Sequence, residues 1–275
     1  MASPKWPNVT SLWALNRAKL TLFARFGTDV QSLISVVTFS VDRAEEFIQL
    51  FNRIEKFLSR LVNPKKAVPF SQLVEAASVL SAAVKANVND LKHFAKLRNA
   101  IVHDVDYPPH IVAVPSQEAL LRFTQVAQEV LDPDPLIPTF AAQVRCFSLD
   151  ETLPGVLRFM RINDFSQVIV IGTHGRLTML TVEGITKWLA DNVDGDQISV
   201  NKVTLDSVID LEPPGRFIIM SPDKTIFDAA DAFTNSVHRE ATRLYAIVIT
   251  ENGSDRDKPI GFVTPWDLVH SPRLR

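Results

Sequence analysis

The sequence of 275 residues contains a single cysteine, Cys146, which excludes an intramolecular disulfide framework and fits a reducing compartment. Charge of neither sign dominates, because 29 Lys and Arg stand against 31 Asp and Glu, and so no global field favours nucleic acid or an anionic membrane as a partner. The apolar run after Asp29 is interrupted at Asp42, too early to span a bilayer, and the N-terminus carries no signal segment. We therefore expect a soluble, cytoplasmic protein with no membrane partner.

Sequence motifs of several enzyme classes are also missing. No Gly-rich phosphate loop and no nucleophile–base motif occurs, which gives little support to an enzyme acting on a small metabolite. Five histidines show no metal-ligand spacing with cysteine or carboxylate residues: His93, His110, His174, His238 and His270. We expect neither a metal site nor a cofactor.

The N-terminal half has the apolar spacing of helices. One helix is predicted from Asp29 to Val62, and two more are predicted to be capped by Ser71 and Ser116, the latter ending at Leu131. The segment from Asn87 to Asp90 is predicted to be a break or a fresh cap. Three prolines between positions 132 and 138 mark a linker. The predicted organisation is an N-terminal helical segment at 1–38, a helical domain at 39–133 and a C-terminal domain at 134–275.

The C-terminal domain contains a repeated pattern, with copies at about 138–200 and 201–272. Each copy predicts a helix, a strand, a turn, a second strand, a threonine and a further helix. The two threonines are Thr181 and Thr264. A short connecting helix is expected at 203–211, and the strand pair of the first copy is expected to turn at 172–175. Such a repeat usually buries its apolar face against its twin.

The second copy ends in a well-marked helix start at Thr264, with Pro265 at the first helical position and Asp267 three residues after the cap. This junction places a hydroxyl and a carboxylate beside free backbone N–H groups, where phosphate oxygens and sugar hydroxyls are good ligands. A capped helix without a ligand is the commoner role of such a pattern.

Residues Gly261 to Asp267 match the Gly-hydrophobic-hydrophobic-Thr-x-x-Asp signature of the CBS domain pair, or Bateman module, which the whole repeat resembles. The resemblance implies clefts for adenine nucleotides or S-adenosylmethionine, with Thr264 near the phosphates and Asp267 on the ribose. Thr181 is the matching threonine of the first copy, but Gly184 stands where the aspartate is expected. The cleft of the first copy is therefore expected to be weak or empty.

Cations near the second copy could neutralise phosphates, although each of them would more commonly be a solvated surface charge. They are Lys224, Arg239 and Arg243.

A second candidate site lies in the helical domain at Arg98, Asn99 and His103. Arg98 falls on the apolar side of its predicted helix, where a guanidinium needs a carboxylate or carbonyl partner to offset its desolvation. Three glutamates could supply that partner within the chain: Glu45, Glu46 and Glu55. Alternatively, Arg98 stabilises charge on a phosphate while His103 moves a proton, as RNA cleavage without metal would require.

This stretch resembles the Arg-x4-His motif of the HEPN superfamily of helical domains, over about residues 40–133. The resemblance implies a metal-independent endoribonuclease whose site forms across a homodimer, with Arg98, Asn99 and His103 as its residues. Other members of the superfamily have lost activity and serve in binding. Cleavage and a non-catalytic role both stay open.

The combined hypothesis is an α+β multidomain sensor, with a HEPN-like all-α bundle followed by an α/β tandem CBS pair. An adenosine-containing ligand (AMP, ADP, ATP or S-adenosylmethionine) would modulate the helical domain by its differential affinity for two states. The expected partners are an adenine nucleotide, a second copy of the chain and, if the helical domain is active, RNA. The alternative is an interaction protein that uses both modules for dimerisation and docking.

Overall fold

The structure, a computed structural model, describes residues 30–102, 113–195, 197–238 and 243–271, with side chains from Asp42 onward. It mixes helix and strand and divides into two compact units. A helical unit contains the described residues up to Ala77 together with Asn87–Leu131. A mixed unit contains Ser78–Ala86 and the described residues from Asp132 onward.

Among the described residues, the helical unit is built from α1 (Val30–Val62), the part of α2 (Phe70–Leu80) up to Ala77, α4 (Val88–Ile101) and α5 (Gln117–Leu131). Between α2 and α4 the chain forms the short helix α3 (Ala82–Ala86), which belongs to the mixed unit. Phenyl rings fill the core of the helical unit, since the ring centroid of Phe123 lies 4.5 Å from those of both Phe47 and Phe94. These rings join α1, α4 and α5.

The helix starts confirm some sequence predictions and correct others. Ser116 caps α5, since its Oγ accepts from the backbone N–H of Ala119 at 3.1 Å. The prediction that Ser71 is a cap is wrong, because α2 already begins at Phe70 and the Pro69 carbonyl accepts from the N–H of Leu73 at 3.1 Å. Helix α2 ends at Leu80, and the next helical turn starts with Ser81 Oγ accepting from the N–H of Val84.

In its described residues, the mixed unit contains six strands and six further α-helices beyond α3. In chain order these elements are α6 (Leu136–Thr139), β1 (Cys146–Ser148), α7 (Leu153–Asn163), β2 (Gln167–Ile171), β3 (Leu177–Thr181), α8 (Val182–Asp191), α9 (Asp206–Ile209), β4 (Phe217–Met220), α10 (Ile226–His238), β5 (Ala246–Thr250), β6 (Pro259–Val263) and α11 (Pro265–Val269).

Two three-stranded sheets carry the same topology. In order β1-β2-β3 and β4-β5-β6, the first two strands of each sheet are parallel and the last two antiparallel. The predicted repeat is therefore confirmed, as are the turn at Thr173–Gly175 and the connecting helix α9. The leading strand of each sheet, β1 or β4, was not predicted. A cluster containing Ile169, Met179, Ala246 and Val248 joins residues of both sheets.

Candidate functional site

Thr264 and Asp267 form a capping box at the start of α11. Asp267 Oδ2 accepts from the backbone N–H of Thr264 at 2.6 Å and from its hydroxyl at 2.7 Å. The Asp267 side chain lies on the surface, and the two recorded bonds both use Oδ2. The carboxylate is thus fixed in orientation by the cap and still presents its second oxygen to solvent.

The second repeat has a similar threonine–aspartate contact at the start of α10. At the start of α10, Asp228 Oδ2 accepts from both the N–H and the hydroxyl of Thr225 at 2.8 Å. In the first repeat the corresponding threonines are Thr152 and Thr181, and each is followed three residues later by a glycine. The second repeat thus has a carboxylate at two positions where the first repeat has none.

At Thr181 the missing carboxylate is supplied from elsewhere in the chain. Glu212 Oε2 accepts from the N–H of Thr181 at 2.9 Å, and the Thr181 hydroxyl lies 2.8 Å from Oε1 and 3.0 Å from Oε2. A Cβ at Gly184 would lie 2.1 Å from Glu212 Oε2, so glycine leaves the room that this carboxylate needs. Glu212 is not among the site residues predicted from the sequence. Both of its oxygens are used by Thr181, in contrast to those of Asp267.

An ion-pair cluster adjoins this helix start. Arg216 donates to the two carboxylate oxygens of Glu183 at 2.6 and 2.7 Å, and the Tyr245 hydroxyl donates to Oε2 at 3.2 Å. The hydrogen bond from Lys187, together with the charge of Arg216, holds the pKa of the Glu183 carboxyl below its ordinary value despite partial desolvation. The side chain of Arg216 is only 11% exposed, so this pair is part of the packed structure.

Arg243 lies next to this cluster. Its guanidinium carbon is 5.1 Å from the ring centroid of Tyr245, and its side chain is exposed. The structure therefore associates Arg243 with the helix that Thr181 starts. Among the described residues, no recorded hydrogen bond joins Thr264 or Asp267 to Thr181 or Arg243.

A groove of about 660 Å³ runs along β4. Its walls are Leu177 of the first repeat, Phe217–Ile219 of β4 and Gly253–Asp255 of the turn between β5 and β6. The turn is held against the first repeat by the N–H of Leu177, which donates to the Asp255 carbonyl at 2.7 Å, and by an Arg176–Asp255 ion pair at 3.5 Å. None of the sequence-predicted ligand residues is part of these walls.

In the helical unit, Arg98 and Asn99 are neighbours near the end of α4, with Arg98 half-buried and Asn99 exposed. The Arg98 guanidinium carbon lies 6.0 Å from the ring centroid of Phe51, and no ion pair of Arg98 with Glu45, Glu46 or Glu55 is recorded in the described part of the chain. His103 lies outside the described residues. Of the three residues of this predicted site, the structure therefore describes only Arg98 and Asn99.

No group of three or more His, Cys, Asp or Glu side chains in the described part of the chain is placed to hold a metal ion. No helix within it has both the length and the apolar character that a membrane crossing requires.

The chain matches no family profile and no curated protein. It is similar to the structure of Hypoxic Response Protein I with two coordinated zinc ions, at 20% identity over 50% of this chain and 100% of that one, with a TM-score of 0.37. It is also similar to the CBS domain of a CBS domain containing membrane protein from Sphaerobacter thermophilus, at 18% identity over 55% of this chain and 94% of that one, with a TM-score of 0.40.

A third similar structure is the CBS domain pair of protein MJ0100 in complex with 5-methylthioadenosine and S-adenosyl-L-methionine, at 14% identity over 50% of this chain and 94% of that one, with a TM-score of 0.36. Solved structures similar to this chain thus include CBS domain proteins.

Proposed function

We propose that the mixed unit is a tandem CBS pair that binds one adenosine-containing ligand, with Asp267 as the acceptor for the ribose hydroxyls, and that it regulates the helical unit. This proposal rests on the orientation and the exposure of the Asp267 carboxylate. Its Oδ2 is held by Thr264, so the exposed carboxylate is already oriented and its Oδ1 can accept from a vicinal diol. Adenosine is the class of ligand that the sequence signature at Gly261–Asp267 implies.

The groove along β4 suits the base of such a ligand. Strand β4 is an edge strand, which offers backbone donors and acceptors, and the partly exposed side chain of Phe217 adds apolar surface. Phe217 pairs with Ala246, and Val263 pairs with Ile247, so Thr264 and Phe217 belong to the same end of the sheet. They are separated by two strand spacings, roughly 10 Å, which lies within the length of a nucleotide.

A thermal-shift screen of AMP, ADP, ATP and S-adenosylmethionine tests the proposal. A ligand that binds only the folded protein raises the free energy of unfolding, by about 2.7 kcal/mol when its concentration is 100 times Kd. At least one compound is expected to raise the melting temperature of wild-type protein and to lose this effect in Asp267→Asn. The matched control is Asp191→Asn, which changes an exposed carboxylate of the first repeat. If no compound shifts the melting temperature, the proposal fails.

For the helical unit, metal-independent RNA cleavage is a second hypothesis, favoured by the exposure of Asn99 beside a half-exposed Arg98. Purified protein should then cut single-stranded RNA in the presence of a chelator and leave a cyclic phosphate or 3′-phosphate end. Removing a proton-transfer group costs about 10²- to 10⁴-fold in rate, so His103→Ala should be nearly inactive. His93→Ala, at an exposed position of α4, is the control and should keep full activity. RNA left intact by the wild type, with and without the best nucleotide, would instead support the non-catalytic binding module.

A further inference from the structure

Helix α3 is anchored to the second repeat, although α4 and the part of α2 up to Ala77 belong to the helical unit. Ala83 is 3% exposed and lies in the apolar cluster that contains Ile226, Phe227 and Ala229 of α10. Ala82, partly buried, packs against the same cluster. Alanines on both helices allow a close approach, and burial of these methyl groups favours the docked state.

An ion pair next to this apolar contact orients α3 on α10. Lys85 Nζ is bonded to Asp231 Oδ1, and the other carboxylate oxygen, Oδ2, accepts from the side-chain amide of Asn235 at 2.9 Å. Asp231 is therefore fixed on α10 while it holds the cation of α3. The pair is partly exposed, so it orients α3, whereas most of the docking free energy comes from the buried methyl groups.

We propose that residues 78–86 are a strap that docks on α10 of the second repeat and so restrains the chain that leads into α4. Ala86 is followed directly by Asn87, the residue that precedes α4, and Arg98 lies further along that helix. Helix α10 in turn packs against α11, which carries Asp267. The strap therefore gives the second repeat a covalent connection to the helix of Arg98. This docking needs no ligand, and its test is independent of nucleotide binding.

Hydrogen–deuterium exchange of the full chain, measured by mass spectrometry without ligand, tests the strap. Ala83→Asp places a charge in the apolar cluster, which should release α3. We expect exchange to accelerate roughly tenfold or more in peptides covering 226–238 and 82–94, while peptides covering 117–131 keep their wild-type rate. Val79→Asp is the control, because it adds the same charge to the same segment at a position that is 84% exposed, and it should change nothing.

A charge exchange gives a second test that does not depend on how well Ala83→Asp folds. Lys85→Glu alone should accelerate exchange in both regions by about two- to fivefold, and Lys85→Glu combined with Asp231→Lys should restore the wild-type rates. Acceleration confined to 226–238, with 82–94 unchanged, would overturn the proposal. So would acceleration confined to the helical unit, or a double variant no better than the single one.

Discussion

Single residues distinguish the two repeats. The threonine-to-carboxylate contact that Asp267 makes within its own helix is made in the first repeat by Glu212, 31 residues away from Thr181 in sequence. The first repeat thus keeps the cap without an aspartate at position 184. Because Thr181 uses both oxygens of Glu212, we expect this carboxylate to be less available to a ligand than that of Asp267.

Variants at Glu212 and Gly184 test whether Glu212 takes the place of the missing aspartate of the first repeat. Glu212→Ala should lower the free energy of unfolding by about 1–2 kcal/mol, because the buried Thr181 loses a charge-assisted hydrogen bond. Gly184→Asp alone should also destabilise, since its Cβ would lie 2.1 Å from Glu212 Oε2. The double variant should recover most of the loss in chemical denaturation. Additive losses in the double variant would contradict this interpretation of Gly184.

The contacts of Glu183 with Lys187 and Arg216 predict a specific dependence of stability on pH. Because the pKa of Glu183 is lowered in the folded protein, its contribution to stability is complete above the ordinary value of 4.5 and disappears as pH falls through the folded value. Wild-type protein should therefore melt at a higher temperature than Glu183→Gln at pH 7, with the gap closing below about pH 4.5. Glu251→Gln, at an exposed position, should match the wild type throughout. A gap that stays constant as the pH falls from 7 to about 3 would contradict the lowered pKa of Glu183.

Among the helices and strands, the sequence predicted those that have a clear local pattern of apolar residues. The four predicted strands of the repeat became β2, β3, β5 and β6, and the apolar spacing predicted α1 and α5. Strands β1 and β4 were missed because three or four residues carry little periodicity. The roles of Glu212 and of α3 depend on tertiary contacts, which spacing along the chain does not encode.

Helix α10 depends on its own capping box. Asp228→Ala should lower the free energy of unfolding by about 0.5–2 kcal/mol, because the cap at Thr225 is lost. Thr234→Ala, at an exposed position of the same helix, should stay within about 0.5 kcal/mol of the wild type. Equal losses in the two variants, measured by chemical denaturation, would show that the box does not stabilise α10.

At the scale of the whole molecule, we expect a homodimer. Trp266 and Val269 of α11 are 72% and 63% exposed, an apolar surface that a second copy of the chain would cover. Light scattering at micromolar concentration should give twice the 30.7 kDa of one chain. Trp266→Ser should weaken the dimer, whereas Val193→Ser, which changes an apolar side chain that is 50% exposed, should not. A monomer would contradict an RNase site shared by two subunits and would leave nucleotide binding untouched.

Isothermal titration calorimetry with the best compound of the thermal-shift screen tests whether the chain binds one adenosine-containing ligand through the second repeat. We expect one site per chain in wild-type protein and in Glu212→Gln, and no measurable binding in Asp267→Asn, with all three proteins folded. Two equal sites per chain, or unchanged binding in Asp267→Asn, would contradict it.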